Sequence, residues 1–268
     1  DWIGVCREDR LLAYDLRLGR VTEVGSDPPV TWSIRGDGGG SAPQQVQCLG
    51  EGFVGITRVL PAPTPGPMRG VAKLEFLGTG SDLVKEVPGD ERYFRPPNLG
   101  PRPMGRRTVI ASSGELVALG TQDTPEVSFY DDRGVLQRVV RWTGEDLDVR
   151  DDDIEAYVET LIENAPQERA PTIRGLYRDH EFPAALPAFG RLIFDQTGNL
   201  WVERTRRPGQ SGNSWRVIAP SGALLGSVAL PEQFDPMYIS DTHVAGVWRD
   251  ELDVEYVWVL EIRKEQPD

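Results

Sequence analysis

A repeat of about 40 residues constrains the fold of this chain more than any other feature. Two copies stand out, at 192–230 and 109–140, and each alternates short apolar runs with turn residues. In each copy one glycine precedes the second apolar run and another precedes the fourth: Gly198 and Gly222 in the later copy, Gly114 and Gly134 in the earlier one. Four short strands per unit are typical of a β-propeller blade, which must stack against other blades to bury both of its faces.

The same pattern continues along most of the chain and predicts roughly eighteen short strands. The strands predicted outside the two copies are 2–7, 11–15, 20–24, 46–49, 53–59, 71–77, 83–87, 238–240, 244–248 and 254–262. Long connections are predicted at 25–42, 60–69, 88–107 and 142–189. We therefore predict an all-β fold, a single β-propeller domain spanning 1–268.

The two ends of the pattern bear on the blade count. The chain opens at what looks like the second strand of a blade and closes at a third strand. In closed propellers a strand from the N-terminus often completes the last blade. We expect the completing strand to lie upstream of Asp1, which makes the domain N-terminally incomplete. The favoured architecture is six-bladed, and a five-bladed ring is the rival.

The connection 142–189 breaks the strand rhythm and is predicted to be an inter-blade insertion with one helix, near 151–165. Apolar residues recur at helical spacing in 153–164, beginning with Ile154, Tyr157 and Val158. The three consecutive carboxylates at 151–153 are predicted to cap the helix and to favour its N-terminal dipole. Pro166 is predicted to end it.

The composition and net charge of the chain restrict the kinds of partner that it can bind. The 268 residues carry a formal net charge of −13, so nucleic acid and anionic membranes are poor partners for the molecule as a whole. No apolar run of 18 or more residues is present, so we predict no membrane span. The two cysteines, Cys6 and Cys48, lie in apolar strand-like segments, a setting that favours buried free thiols over a disulfide.

The meander predicts where a binding site lies. Turns between strands one and two and between strands three and four share one side of a blade, and here they are tight. The other side receives the two/three loops and the links between blades, which include nearly every long connection. Binding residues commonly lie on such loops. Two arginine clusters fall there and are candidates for an acidic ligand: Arg102, Arg106, Arg107, Arg204, Arg206 and Arg207. Pairing with local carboxylates is the alternative, and the favoured one.

The chain offers little for metal or cofactor chemistry, and we predict neither. The acidic residues of 145–153 lack the spacing of an EF-hand, and His180 and His243 are too few for a three-histidine site. The glycine-rich segment 36–41 lacks the Gly-Lys-Ser/Thr of a phosphate loop.

Four strand tryptophans are predicted to pack between blades: Trp201, Trp215, Trp248 and Trp258.

The segments LPAFGRLIFDQTGNLWV, WRVIAPSGALLGSVALP and VAGVWRDELDVEYVWVLEI resemble the C-terminal blades of bacterial six-bladed β-propeller proteins of the NHL-like group. The resemblance extends over about 107–262 and is weak before that. It implies a six-bladed propeller exported to the periplasm, cell envelope or exterior, and it implies no defined reaction.

Two functions of different class follow. The first is a non-catalytic module that binds a protein, peptide or glycan on the loop-rich side, around the central channel. The second is a metal-dependent hydrolase or lyase of the propeller lactonase kind, with a site in the channel. Four side chains near the innermost strands are the candidates for its ligands: Gln45, Gln47, Asp195 and Asp241.

Overall fold

A computed structural model describes residues 2–5, 11–34, 42–77 and 83–263. This part of the chain contains five antiparallel sheets, in which consecutive strands are neighbours. The strands of the first two sheets are β1 (Trp2–Val5), β2 (Leu11–Asp15), β3 (Arg20–Glu23) and β4 (Thr31–Ser33), then β5 (Gln45–Leu49), β6 (Gly52–Val59), β7 (Gly66–Leu77), β8 (Val84–Arg95) and β9 (Asn98–Pro101).

The other three sheets follow in chain order. Their strands are β10 (Val109–Ser112), β11 (Leu116–Gly120), β12 (Glu126–Asp131) and β13 (Leu136–Arg141); β14 (Phe189–Phe194), β15 (Leu200–Arg204), β16 (Asn213–Ile218) and β17 (Leu224–Leu230); and β18 (Phe234–Ile239), β19 (His243–Arg249) and β20 (Glu255–Glu261). The predicted all-β class of β-propeller type is confirmed at the level of its blade-like sheets, whereas closure into six or five blades stays a prediction.

The two repeat copies fold as predicted, each into one four-stranded sheet, β10–β13 and β14–β17. The glycines that define the repeat occupy tight turns with left-handed backbone: φ is 84° at Gly114, 71° at Gly134, 82° at Gly198 and 91° at Gly222. Only glycine adopts this conformation without steric cost, which is why the residue recurs at these positions.

The first sheet corrects the prediction that the chain opens at a second strand. It contains four strands, because Thr31–Ser33 forms β4 inside the segment predicted as a loop. Val21 on β3 lies opposite Trp32 on β4. A three-residue strand flanked by prolines and glycines is too short to give a period-two signal, so the sequence did not indicate it. The glycine-rich segment 36–41 lies outside the described residues.

The second sheet has five strands rather than the four predicted. The predicted connection 88–107 begins inside β8, where Pro88 lies opposite Val71, next to a register shift between Arg69 and Val71. A bulge of this kind tolerates a residue without an N–H group. A proline commonly ends a strand, but here the hairpin β7–β8 continues beyond Pro88.

The fifth sheet has three strands, β18–β20, as predicted. Val257 and Val259 on β20 are 80% and 64% exposed. Trp258 and Leu260, on the opposite face of the strand, pack against a buried cluster.

The insertion contains two α-helices rather than one: α1 (Asp151–Glu163) and α2 (Ala170–Tyr177), joined through a 3₁₀ turn at Gln167–Arg169. The proline near the start of α2 and Gly175 within it concealed this helix from the sequence pattern, although proline is tolerated in a first turn. The N-cap of α1 is Arg150, not one of the predicted carboxylates. Asp153, at the third helical position, instead accepts a hydrogen bond from the Arg150 backbone N–H at 2.9 Å.

The chain divides into two compact units. The first comprises Asp1–Pro101, Arg107–Thr121 and Glu126–Arg141, and the second comprises Arg102–Arg106, Gln122–Pro125 and Trp142–Asp268. The prediction of a single domain over 1–268, incomplete at its N-terminus, stays a prediction.

Within each unit, neighbouring sheets bury apolar side chains between them. In the first unit, Leu12 and Val21 of the first sheet pack with Val46 of the second. In the second unit, Trp201 and Trp215 pack with residues of β18 and β19. Both tryptophans are almost fully buried, which confirms their predicted role. This stacking supplies the burial that a single sheet lacks.

Cys48, on β5, is disulfide-bonded, which corrects the preference for a free thiol. A disulfide-bonded cysteine fits an apolar strand position as well as a free thiol does, so the surrounding sequence does not distinguish the two states. Cys6 lies outside the described residues. In the described part of the chain no helix is long and apolar enough to cross a membrane.

Candidate ligand-binding face

The long loops of the second unit meet on one side of its two sheets. The β15–β16 loop is tied to the β17–β18 link, because the side-chain amide of Asn213 donates hydrogen bonds to the carbonyls of Pro231 and Phe234 at 3.2 and 2.7 Å. The β19–β20 end joins them through a hydrogen bond from Arg249 N–H to Gln233 carbonyl, at 3.3 Å. We call this side of the second unit the loop-rich face.

The insertion also contacts the loop-rich face, through ion pairs. Arg207, on the β15–β16 loop, donates to the Asp153 carboxylate at 2.5 Å and to the carbonyls of Asp146 and Asp148 at 2.8 and 3.0 Å. The side chains of Arg207 and Asp153 are only 15% and 7% exposed. Arg207 therefore fixes the beginning of α1 to this loop.

A second ion-pair group lies beside it. The Glu145 carboxylate accepts a hydrogen bond from Arg216 at 2.8 Å and lies 3.6 Å from Arg204. The Arg216 guanidinium also lies 5.1 Å from the centre of the Trp142 ring. The acidic residues of 145–153 are therefore at least partly neutralised by arginines. Among the described residues no group of three or more His, Cys, Asp or Glu side chains could hold a metal ion.

The remaining predicted arginines lie in different surroundings. Arg102 donates to the Glu181 carbonyl at 3.0 Å, and Arg106 pairs with Asp123 at 3.4 Å. Arg206 is exposed and donates to the Gly212 carbonyl at 3.1 Å. Arg107 is exposed and belongs to the first unit. Arg204 and Arg207 are brought together around the insertion, and three of the six arginines, Arg106, Arg204 and Arg207, pair with carboxylates, the alternative considered above. Whether any of the six binds a ligand stays a prediction.

Asp195 and Gln47, two of the four candidate channel ligands, form hydrogen bonds within the protein. The buried Asp195 carboxylate accepts hydrogen bonds from Thr197 and Asn199 and from the Trp201 indole, the last at 3.1 Å. It stabilises the turn before β15. Gln47 donates to the Ile110 carbonyl at 3.5 Å, and Asp241 is exposed. Gln45 and Gln47 belong to the first unit, and Asp195 and Asp241 to the second.

An open cleft on the loop-rich face was not predicted. It has a volume of about 660 Å³ and is lined by Pro231, Glu232, Gln233, Trp248, Asp250, Glu251, Leu252 and Trp258. We call it the tryptophan cleft. Its walls are the β17–β18 link and the β19–β20 turn, two connections that the meander placed on the elaborated side.

Two stacked indoles form the aromatic part of the tryptophan cleft. The rings of Trp248 and Trp258 lie 4.4 Å apart with an angle of 8° between their planes. Their stacking follows from the register, in which Trp248 faces Tyr256 and Trp258 faces Gly246, so the two indoles are diagonal neighbours on one face of the sheet. The two tryptophans pack against the inter-sheet cluster, as predicted, and line the cleft as well. Strand spacing could have indicated the pairing, but not the opening beside it.

The carboxylates of the cleft differ in their surroundings. Asp250 accepts hydrogen bonds from the backbone N–H groups of Val254 and Leu252 and from the Tyr256 hydroxyl. The Val254 N–H is the main reason that the pKa of Asp250 is lowered from its ordinary value. Glu232 and Glu251 are exposed, and Glu232 accepts a hydrogen bond from the Gly212 N–H at 2.7 Å. Asp250 therefore stays ionised well below neutral pH.

Arg249, which precedes Asp250 in the chain, forms ion pairs with residues that do not line the cleft. Arg249 pairs with Glu255 at 2.7 Å and lies 3.6 Å from Asp253. The Glu255 hydrogen bond is the main reason that the pKa of Arg249 is raised. Asp253 lies in the β19–β20 turn and Glu255 on β20, so these ion pairs stabilise this end of the hairpin.

No protein-family model matches the chain, and no curated protein matches it. Among solved structures, Hsv2 of Kluyveromyces marxianus is 10% identical, with 98% of this chain and 84% of that chain covered and a TM-score of 0.33. Hsv2 of Kluyveromyces lactis is 8% identical, with 97% of each chain covered and a TM-score of 0.28. These values are too low to support any functional comparison.

Proposed function

We propose that this protein is a non-catalytic binding protein of the β-propeller class that receives its ligand on the loop-rich face. The observation that carries the proposal is the tryptophan cleft, where an open concavity combines stacked aromatic rings with a few polar groups. Ligand sites commonly have this composition.

Three finer points belong to the same proposal. Membership of the NHL-like six-bladed group is supported by the quoted segments of the second half. Export from the cytosol is supported by the disulfide at Cys48, since structural disulfides persist in oxidising compartments. The partner is a protein, peptide or glycan, and the net charge of −13 argues against nucleic acid.

The test uses three probes of different chemistry: N-acetyl-tetralysine amide, N-acetyl-tetraglutamate amide and cellotetraose, each titrated by isothermal calorimetry. The blocking variant is Leu252→Arg, because Leu252 lines the cleft and is 84% exposed, so the larger side chain enters the cleft without disturbing the core. The matched control is Leu225→Arg on β17, at a position that is 60% exposed and outside the cleft.

We expect at least one probe to bind the wild-type protein and the control, and to lose binding to Leu252→Arg. Binding by none of the three, or binding unaffected by Leu252→Arg, would contradict the proposal. Binding of the tetraglutamate peptide that is weakened by Arg206→Gln would support the predicted role of the loop arginines. This substitution leaves the buried pair at Arg207 intact.

A further inference from the structure

The tryptophan cleft is negatively charged as well as aromatic. Three of its eight lining residues are carboxylates, Glu232, Asp250 and Glu251, and no Lys, Arg or His is among the eight. Arg249, the nearest basic residue in the chain, is held by Glu255 and Asp253. Glu251 has no ion-pair partner among the described residues. Among the described residues, no ion pair therefore neutralises the carboxylates of the cleft.

Backbone N–H groups stabilise one of these negative charges, that of Asp250. Asp250 accepts two N–H hydrogen bonds within the β19–β20 turn, from Leu252 at 2.9 Å and from Val254 at 3.0 Å. These bonds favour the ionised carboxylate and fix its position next to the aromatic pair. A cleft that presents a permanent negative charge disfavours anionic ligands and attracts cations.

The indoles have the same preference through the faces that their stacking on one another leaves uncovered. The face of an indole ring carries negative electrostatic potential, and tryptophan is the best of the aromatic side chains at binding a cation over its face. Aromatic rings bind ammonium groups over their faces, and carboxylates beside them attract the same positive charge. The indoles and the carboxylates of this cleft therefore favour the same kind of ligand.

We propose that the tryptophan cleft binds cationic side chains, lysine or arginine, of an extended segment of a partner protein. The inference deepens the proposed function and rests on it. A volume of about 660 Å³ exceeds the space needed by one lysine side chain, so neighbouring cations of one segment are accommodated together. The excess of carboxylates over the whole chain, a net charge of −13, steers such a partner towards the protein.

The experiment compares N-acetyl-tetralysine amide with the same peptide acetylated at every ε-amine, which has the same backbone and no charge. The cleft variant is the double substitution Glu232→Gln and Glu251→Gln. Both residues are exposed, so folding is preserved, and circular dichroism checks this. The control is the double substitution Glu163→Gln and Glu261→Gln, which changes the net charge by the same amount outside the cleft.

We expect the tetralysine peptide to bind the wild-type protein and the control with similar affinity, and to bind the cleft variant about tenfold more weakly. The acetylated peptide should bind at least about tenfold more weakly than tetralysine to the wild-type protein. Equal weakening by the cleft variant and the control would overturn the inference, since it would mean that only the overall charge matters.

Two further outcomes separate this inference from the proposed function. Binding of cellotetraose or of the acetylated peptide that Leu252→Arg abolishes, without binding of tetralysine, leaves a ligand site in the cleft and refutes its cationic specificity. Failure of every probe to bind refutes both.

Discussion

Arg207 is the residue through which the insertion is fixed to the β15–β16 loop. Its guanidinium bridges the Asp153 carboxylate and two backbone carbonyls that precede α1. Removing one partner of a nearly buried ion pair leaves the other charge without compensation. The predicted ligand-binding set thus contains residues with very different structural roles.

Substitution of Arg207 by Leu is expected to destabilise the second unit by about 2–3 kcal/mol, less than for a fully isolated charge because Asp153 keeps its bond to the Arg150 N–H. Urea unfolding measures the loss, and hydrogen exchange should show faster exchange in α1. The matched substitution Arg206→Leu, in the same loop but exposed, should change stability by no more than about 0.5 kcal/mol. Equal effects of the two would contradict the assigned role of Arg207.

The stability of the fold is expected to depend on pH through Glu75, which lies on β7. Burial raises its pKa above the ordinary value of 4.5, against the opposing effects of the Thr57 hydrogen bond and of Lys73. A carboxyl group whose pKa is higher in the folded state stabilises the fold below its unfolded pKa. That contribution is lost as pH rises through the folded pKa, so ionisation of Glu75 costs stability near neutral pH.

Glu75→Gln should therefore gain stability relative to the wild-type protein as pH rises from about 4 to 7. The gain should stay below about 1 kcal/mol, because the side chain is only half-buried and solvent screens its charge. Thermal unfolding at a series of pH values measures it. Glu51→Gln, at an exposed turn of the same sheet, is the control, and an identical pH profile for both variants would count against the burial argument.

Among the elements, β20 differs from the outer strands β13 and β17. The outer pairs β12–β13 and β16–β17 each contain a register shift, whereas β19–β20 pairs without interruption from His243↔Glu261 to Arg249↔Glu255. Bulges protect sheet edges from pairing with other chains, and β20 lacks one. Its outer face exposes Val257 and Val259.

The double substitution Val257→Lys and Val259→Lys is expected to reduce self-association of the protein at high concentration, because lysines on an edge strand oppose strand pairing. Sedimentation velocity over a concentration series measures this. Leu224→Lys with Leu225→Lys, on the bulged strand β17, serves as the control and should have little effect. Association that persists unchanged in the β20 variant would show that this edge does not mediate it.

For the molecule as a whole, the disulfide at Cys48 is expected to contribute to stability, and it can form only where the surroundings are oxidising. The strand that carries Cys48 lies in the second sheet, next to the hairpin β6–β7. Cross-links restrict the unfolded chain, and typical disulfides contribute about 2–4 kcal/mol.

Reduction, or the substitution Cys48→Ser, is expected to lower stability by about 2–4 kcal/mol. The protein produced in an oxidising compartment should show no free thiol after denaturation without reductant, and two after reduction, since the chain contains two cysteines. Thiol titration and thermal unfolding provide the two readouts. Titration of both thiols without reductant would refute the disulfide and remove its support for export.

Sequence patterns were sufficient to predict the blade-like sheets, the side of the second unit on which its long loops lie, and the position of α1. These features depend on local signals: the period of two in strands, the left-handed turns at Gly198 and Gly222, and the apolar stripe of the helix. Local signals did not reveal β4, which is three residues long, or the continuation of β8 through Pro88, where pairing with β7 overrides the preference of proline.

Which loop residues come together depends on tertiary packing. The arginines of 204–207 are candidate ligand-binding residues in the sequence. In the structure, Arg204 and Arg207 pair with carboxylates that lie some 50 to 60 residues earlier in the chain. The sequence pattern indicates that Trp248 and Trp258 are core residues, and they pack against the core, but the register and the link at 231–233 leave an open cleft beside them. Ion pairing and concavity depend on long-range packing, which the residue pattern along the chain does not specify.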